Sequence, residues 1–330
     1  MKLTAGINGF GRFGLHLLRY WLDRRERASF AVTAINDSAL SREDALRILH
    51  DDPYVRFDDC QLDDDGSHLI LVPADREAIR LRYSTGPTES APWLGEPDLF
   101  FEASGLPGAA EDCRELLRGR TLQVLISSTT EKADQTLIYG FNHADWTPRC
   151  QVVSYGSCTV NAYVPLAAWI HDRYGVLDSD VNVIHNSPEY RMCHTLQRSR
   201  CTLGRSGPAL LEFLLPENFA VNYTIVPYSG VSIIDFRFRT RRPVSPDGFV
   251  GDLSAAVEAG PLQSLYAIEE TDTGPEPHVC TPCSAVFIAN RIRVRGDNLY
   301  LQAYVDTENS ANRFFDLADY VSRRLLAEPA

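Results

Sequence analysis

The chain has 330 residues, a formal net charge of −12, and 44% hydrophobic against 23% charged residues. That length suits two ordinary domains with a sizeable core, and the acidic balance argues against a nucleic-acid partner. No apolar run of about 18 residues exists, so no membrane span or membrane partner is expected, and the start "MKLTAGINGFG" lacks a signal peptide's apolar stretch, which points to the cytoplasm.

Basic residues are nearly all arginine, suited to phosphate or carboxylate. Lys2 and Lys132 are the only lysines, so Schiff-base chemistry is not expected. Eight cysteines without an export signal read as reduced thiols rather than a disulfide framework.

In chain order, residues 2–7 alternate Leu3, Ala5 and Ile7 as a strand does and run into "GFGRFG", with Gly9, Gly11 and Gly14 in G-x-G-x-x-G spacing around Phe10, Arg12 and Phe13. Phe13, Leu17, Leu18, Trp21 and Leu22 then share one helix face. "FAVTAIND" (30–37) is a second strand ending in Asn36 and Asp37, and Asp37 lies 23 positions after Gly14. Strand, glycine turn, helix, strand and acidic residue in this order predict a Rossmann-type dinucleotide site. Gly9 permits the turn, Gly11 lets a pyrophosphate approach, and Gly14 lets helix and strand pack. The helix N-terminus supplies N–H groups to the pyrophosphate. Asp37 suits a ribose diol and favours NAD over NADP, while the small Ser38 leaves room for the latter. "LFFEASG" (99–105) and "QVLISSTT" (123–130) read as later strands of the same sheet, which puts Ser104, Gly105, Ser127 and Ser128 at ligand-bearing strand ends.

"SYGSCTVNAYVP" (154–165) places Cys158 ahead of a helix-like run, with Pro165 expected to kink or restart it. A cysteine at a helix N-terminus is expected to have a lowered pKa, and the same N–H groups suit an oxyanion. Its base is open among His143, His185 and His194; His171, beside Asp172, reads as surface. His185 ends the strand-like "VNVIH", 27 positions after the cysteine. "HVCTPC", with His278, Cys280 and Cys283, has no second ligand pair, so no metal is expected. "SIIDFRFRT" and "NLYLQAYVD" read as strands of an antiparallel sheet carrying helices on one face.

Taken together these motifs resemble the phosphorylating glyceraldehyde-3-phosphate dehydrogenases. "GINGFGRFG" with the following "ND", "GFNHADW", "SCTVNA" against Ser-Cys-Thr-Thr-Asn-Cys, the 27-residue step to His185, and "NSANRFFDLADYV" all occur in the family's order. The resemblance implies Cys158 as nucleophile and His185 as base. It implies thiohemiacetal and thioester intermediates, NAD as cofactor and release of an acyl phosphate. Ser157 and Thr159 would lie around the attacking inorganic phosphate. Two domains are expected: 1–156 plus 309–330 as the NAD-binding Rossmann domain, and 157–308 as an α+β catalytic domain with a mostly antiparallel sheet.

The chain also departs from the family. Ile225 stands where an arginine before Val-Pro grips the substrate's phosphate, and Pro188 and Tyr190 replace threonines after the histidine. Three charge-assisted contacts of about 1.5–3 kcal/mol each are thereby lost, so the substrate is expected to differ unless Arg191, Arg198, Arg200 or Arg205 compensates. Ser206 and Gly207 match the Thr-Gly that contacts attacking phosphate. The loop after His185 is shorter than the family's, which leaves a homodimer or a homotetramer as the expected assembly. Asp306 or Thr307 takes the place of the asparagine that fixes the nicotinamide carboxamide. Two alternatives follow: an acyltransferase or thioesterase without redox function, and a binding or regulatory protein.

Overall fold

The computed structural model describes residues 2–327 apart from 75, 107, 112 and 188–193. The expectations placed on Pro188, Tyr190 and Arg191 therefore lie outside the described residues. Two compact units emerge: Met1–Gly156 with Ala311–Ala330, and Ser157–Ser310.

The first unit holds β1 (Leu3–Asn8), β2 (Phe30–Asp37), β3 (Cys60–Asp64), β4 (His68–Pro73), β5 (Ile79–Thr85), β6 (Leu99–Glu102), β7 (Gln123–Ile126), β8 (Gln135–Thr136) and β9 (Val152–Ser154). Their order across the sheet is β3-β4-β5-β2-β1-β6-β7-β9-β8. The run from β5 to β8 is parallel, and β3 and β4 join it antiparallel. Parallel strands covered on both faces read as continuous apolar runs, as in the fully buried "LFFE" of β6 and "QVLI" of β7. The order reverses direction between β1 and β6, the switch point where such sheets bind ligands.

Helix α1 (Arg12–Arg24) buries Leu15, Leu18, Trp21 and Leu22, and the Trp21 indole donates to the Phe30 carbonyl at 3.1 Å. Helix α2 (Arg42–Asp51) is capped by Ser41, whose hydroxyl accepts from the Asp44 amide. The C-terminal helix completes this unit through aromatic packing. Phe314 lies edge-on to Phe13 and Phe101 at 5.5 and 5.3 Å, and the Ser29 amide donates to Asp319 at 2.7 Å.

The second unit holds β10 (Val176–His185), β11 (Gln197–Arg198), β12 (Phe219–Ile225), β13 (Ser232–Thr240), β14 (Tyr266–Glu269), β15 (Ala285–Ile288), β16 (Arg293–Arg295) and β17 (Asn298–Val305). Their order is β11-β12-β10-β13-β17-β15-β14, with β16 paired to β17. All pairs but β10–β12 and β14–β15 are antiparallel. Helix α3 (Cys158–Tyr174) lies on one face, where Tyr163 stacks on Phe238 at 5.6 Å and packs tilted against Phe219 at 5.3 Å. Each such buried aromatic contributes roughly 1.5–3 kcal/mol. The other face is polar: Arg237 pairs with Asp178 at 2.7 Å and with Asp180, and Arg239 also reaches Asp178. The fold is thus α/β, a doubly wound sheet followed by a mostly antiparallel one.

Pro165 does not restart α3, which is a single helix of 17 residues. Proline removes the N–H that would satisfy the Asn161 carbonyl and crowds the next bond. The buried Tyr266 hydroxyl replaces both: it lies 3.3 Å from the Asn161 carbonyl and 3.1 Å from that of Ala162, and accepts from the Leu166 amide at 3.1 Å. Tyr266→Phe should therefore cost about 1–3 kcal/mol, the penalty of stranding buried polar groups. A lowered urea midpoint at unchanged slope is the expected reading.

Candidate active site

Two groups of residues stand out, one in each unit. In the first, Gly9 has φ +99°, and a Cβ there would sit 2.3 Å from the Ser104 Cα; a Cβ on Gly14 would sit 2.1 Å from the Gly9 carbonyl oxygen. The packing of β1, α1 and β6 requires both glycines. Gly11 differs, since a Cβ there would meet no protein atom within 4 Å. It is the N-cap of α1, and no side chain caps the helix's first N–H groups. An open glycine before uncapped N–H groups fits an approaching pyrophosphate.

Asp37 ends β2 with its carboxylate fixed by the amides of Phe10 at 2.8 Å and of Ala39 and Leu40 at 2.9 Å. Phe10 is buried, and Phe13 packs on Tyr155 and Phe314. Arg12 pairs with Asp52 and lies over the Tyr54 ring at 5.5 Å. Beneath the glycines runs a polar chain that sequence reasoning missed. Asn8 donates to Glu102 at 2.7 Å, Asn36 donates to Asn8 at 2.9 Å, and Ser84 donates to Asn36 at 2.7 Å. Ser104 donates to Glu102 from its amide at 2.9 Å and from its hydroxyl, and the Ser127 amide donates to the Glu102 carbonyl at 2.8 Å. Burial raises the Glu102 carboxyl pKa. Gly105 follows at φ +61°. Of this chain, Asn8 and Glu102 were missed, and the signal was that each closes an apolar strand.

In the second unit, Ser157 is the N-cap of α3 and Cys158 its first residue. The Cys158 Sγ lies 3.8 Å from the His185 Nε2. The His185 Nδ1 lies 2.6 Å from the Asn186 carbonyl oxygen, which can only accept, so in the neutral imidazole the proton sits on Nδ1 and the Nε2 lone pair faces sulfur. Asn186 is itself fixed: its side-chain oxygen accepts from Ser232 at 2.8 Å and Thr307 at 2.7 Å, its amide donates to the Ser232 hydroxyl at 3.0 Å, and its NH2 donates to Glu308 at 3.3 Å.

Three hydroxyls cluster at the head of α3. Ser157 lies 2.9 Å from Thr202 and 3.2 Å from Thr159, and Thr159 lies 3.3 Å from the Cys201 Sγ. The Tyr223 ring is 5.3 Å from that of His185. Cys201, Thr202, Tyr223 and Glu308 were not found from sequence, because only the folding of distant segments brings them here.

The other histidines lie elsewhere. His143 is in the first unit, its ring 4.5 Å from Tyr139, and His194 is exposed. Ser206 and Gly207 are buried inside helix α4 (Leu203–Leu210), with the Ser206 amide bonded to the Thr202 carbonyl at 3.0 Å. Arg198, Arg200 and Arg205 are exposed. Thr307 spends its hydroxyl on Asn186 and Glu308, and Asp306 accepts from the Cys280 amide at 2.5 Å. The seven described cysteines are free thiols, and among the described residues no three metal-ligating groups converge.

The expected lowering of the Cys158 pKa is overturned. Burial pushes the thiol up to about 12, helped by nearby Cys201 and Glu308; the backbone N–H groups of Thr159 and Cys158 pull the other way but do not prevail. Removing one neighbouring negative charge must then favour the thiolate. Glu308→Gln keeps the side-chain shape and should raise the rate of Cys158 alkylation by iodoacetamide at pH 7.5, by about two- to fivefold. Cys158→Ser supplies the blank.

No protein-family model matches the chain. It is 29% identical to the chromosomal glyceraldehyde-3-phosphate dehydrogenase of Cupriavidus necator, covering 96% of this chain and 98% of that protein. It is 28% identical to the glyceraldehyde-3-phosphate dehydrogenase of Cereibacter sphaeroides, over 98% of this chain and all of that protein, 100%. It is 25% identical to glyceraldehyde-3-phosphate dehydrogenase 2 of a Nostoc species, over 98% and 99%. No described helix is long and apolar enough to cross a membrane. End-to-end similarity at 25–29% identity supports a divergent member of the glyceraldehyde-3-phosphate dehydrogenase family.

Proposed function

We propose that the protein is an acylating, NAD(P)-dependent aldehyde dehydrogenase of the glyceraldehyde-3-phosphate dehydrogenase type, with NAD the favoured cofactor. The reading is carried by Cys158 facing the unprotonated Nε2 of His185 at 3.8 Å. Cys158 sulfur adds to the aldehyde carbon while His185 takes the thiol proton, giving a thiohemiacetal. The raised pKa of Cys158 favours coupling its proton transfer to bond formation. The N–H groups at the head of α3 face the developing oxyanion. The His185 imidazolium returns the thiol proton to the oxyanion as the thiohemiacetal hydroxyl, takes it back as the carbon loses hydride and the thioester forms, and finally gives it to the departing Cys158 sulfur. NAD, when bound, supplies the hydride acceptor for that step, with Gly11 and the α1 N-terminus on its pyrophosphate and Asp37 on its ribose. Inorganic phosphate near Ser157, Thr159 and Thr202 attacks the thioester carbonyl, and the acyl phosphate leaves as the Cys158 thiol is restored.

NADH formation from NAD and a panel of aldehydes, with and without inorganic phosphate, tests the reading. Turnover should require phosphate, vanish in Cys158→Ser, and fall about 10²–10⁴-fold in His185→Asn, the range for a lost general base. Acylation of Cys158 by an acyl phosphate or thioester donor, with no NADH formed from any aldehyde, would instead mark an acyltransferase or thioesterase.

The polar face of the second sheet supports a homo-oligomer. A cavity of about 620 Å³ there is lined by Asp180 and Asp235 together with Arg291, Arg293 and Arg295. A patch carrying both signs complements itself about a two-fold axis. Light scattering should give the mass of two or four chains, and Arg293→Glu with Arg295→Glu should shift it toward one.

A further inference from the structure

One row of side chains crosses the thiol site. Parallel pairing of β10 and β12 sets His185 beside Ile225, and antiparallel pairing of β11 and β12 sets Gln197 opposite Ile225. Paired residues share a face, so Gln197, Ile225 and His185 stand side by side. Their face is the inner one, which also carries Val181 and Val183, both buried. Tyr223, two residues back on β12, is on this face as well, its ring 5.3 Å from His185. Of these, Gln197, Ile225 and Tyr223 are uncharged.

The nearby arginines are placed differently. Arg198 pairs with Thr224, one residue out of step, and so belongs to the opposite face; Asn222, two before Thr224, lines the outer cavity. Arg200 and Arg205 are exposed. The ionisable groups acting on Tyr223 are Cys158, Cys201 and Glu308, each negative when charged. Ile225 itself offers a phosphate dianion neither charge nor hydrogen bond in exchange for lost water. A short carbon tail finds apolar surface on Ile225 and the Tyr223 ring. A hydroxyl on that tail finds the Gln197 amide.

We infer that this site takes a small unphosphorylated aldehyde, a short chain bearing hydroxyls at most, with Ile225 and Tyr223 along its carbons and Gln197 on its hydroxyl. The inference rests on the dehydrogenase reading above.

The test compares kcat/KM for glyceraldehyde, propanal and glyceraldehyde 3-phosphate. The wild type should favour glyceraldehyde over its phosphate by about tenfold or more. Gln197→Ala should lower kcat/KM for glyceraldehyde about fivefold while sparing propanal, which has no hydroxyl to lose. Ile225→Arg should shift the preference toward the phosphate by about tenfold or more. If that variant does not fold, the wild-type ratio and Gln197→Ala decide alone. Preference of the wild type for the phosphate, with turnover abolished in Cys158→Ser, overturns the inference and leaves the dehydrogenase reading standing. Turnover of none of the three, with no acyl adduct on Cys158 by intact mass, overturns both.

Discussion

The site in the second unit depends on one hydrogen bond, from the His185 Nδ1 to the Asn186 carbonyl. It assigns the imidazole proton, and with it the direction in which a proton can move between histidine and cysteine. A neutral bond of this kind contributes only about 0.5–1.5 kcal/mol to stability, yet it selects the tautomer that can act as base. The carbonyl stays in place because Ser232 and Thr307 hold the Asn186 side chain from two directions. Ser232 begins β13 and Thr307 follows β17, so the central pair of the sheet positions an imidazole that neither strand carries.

Burial of Cys158 is the second constraint. Helix N-termini favour thiolates by a modest electrostatic effect that fades within a turn, whereas removing a thiolate from water is costly. Here burial prevails, and Glu308 and Cys201 reinforce it.

The first unit solves a different problem with backbone alone. Gly9 and Gly14 are fixed by contacts to Ser104 and to the Gly9 carbonyl, and only Gly11 is left open in front of the α1 N-terminus. Below it, Asn8, Asn36, Glu102 and Ser84 satisfy one another. A buried polar chain of this sort is stable only when its members are paired.

Local pattern determined much of this protein. The strand over 30–37, the glycine turn, the helix after it and Cys158 at a helix start were legible because each depends on neighbours in sequence. The alternation in "SIIDFRFRT" declared which side chains face the core. Tertiary structure alone decided the rest. It set the His185 ring beside Cys158, because His185 ends the strand that passes under α3. It raised a pKa that the helix alone would have lowered, because burial is a property of the packed chain. It carried α3 through Pro165 with a tyrosine about a hundred residues away in sequence, a partner that local spacing cannot reveal. It also set Gln197 beside Ile225 and turned Arg198 to the opposite face, since register across strands follows from pairing and not from residue order.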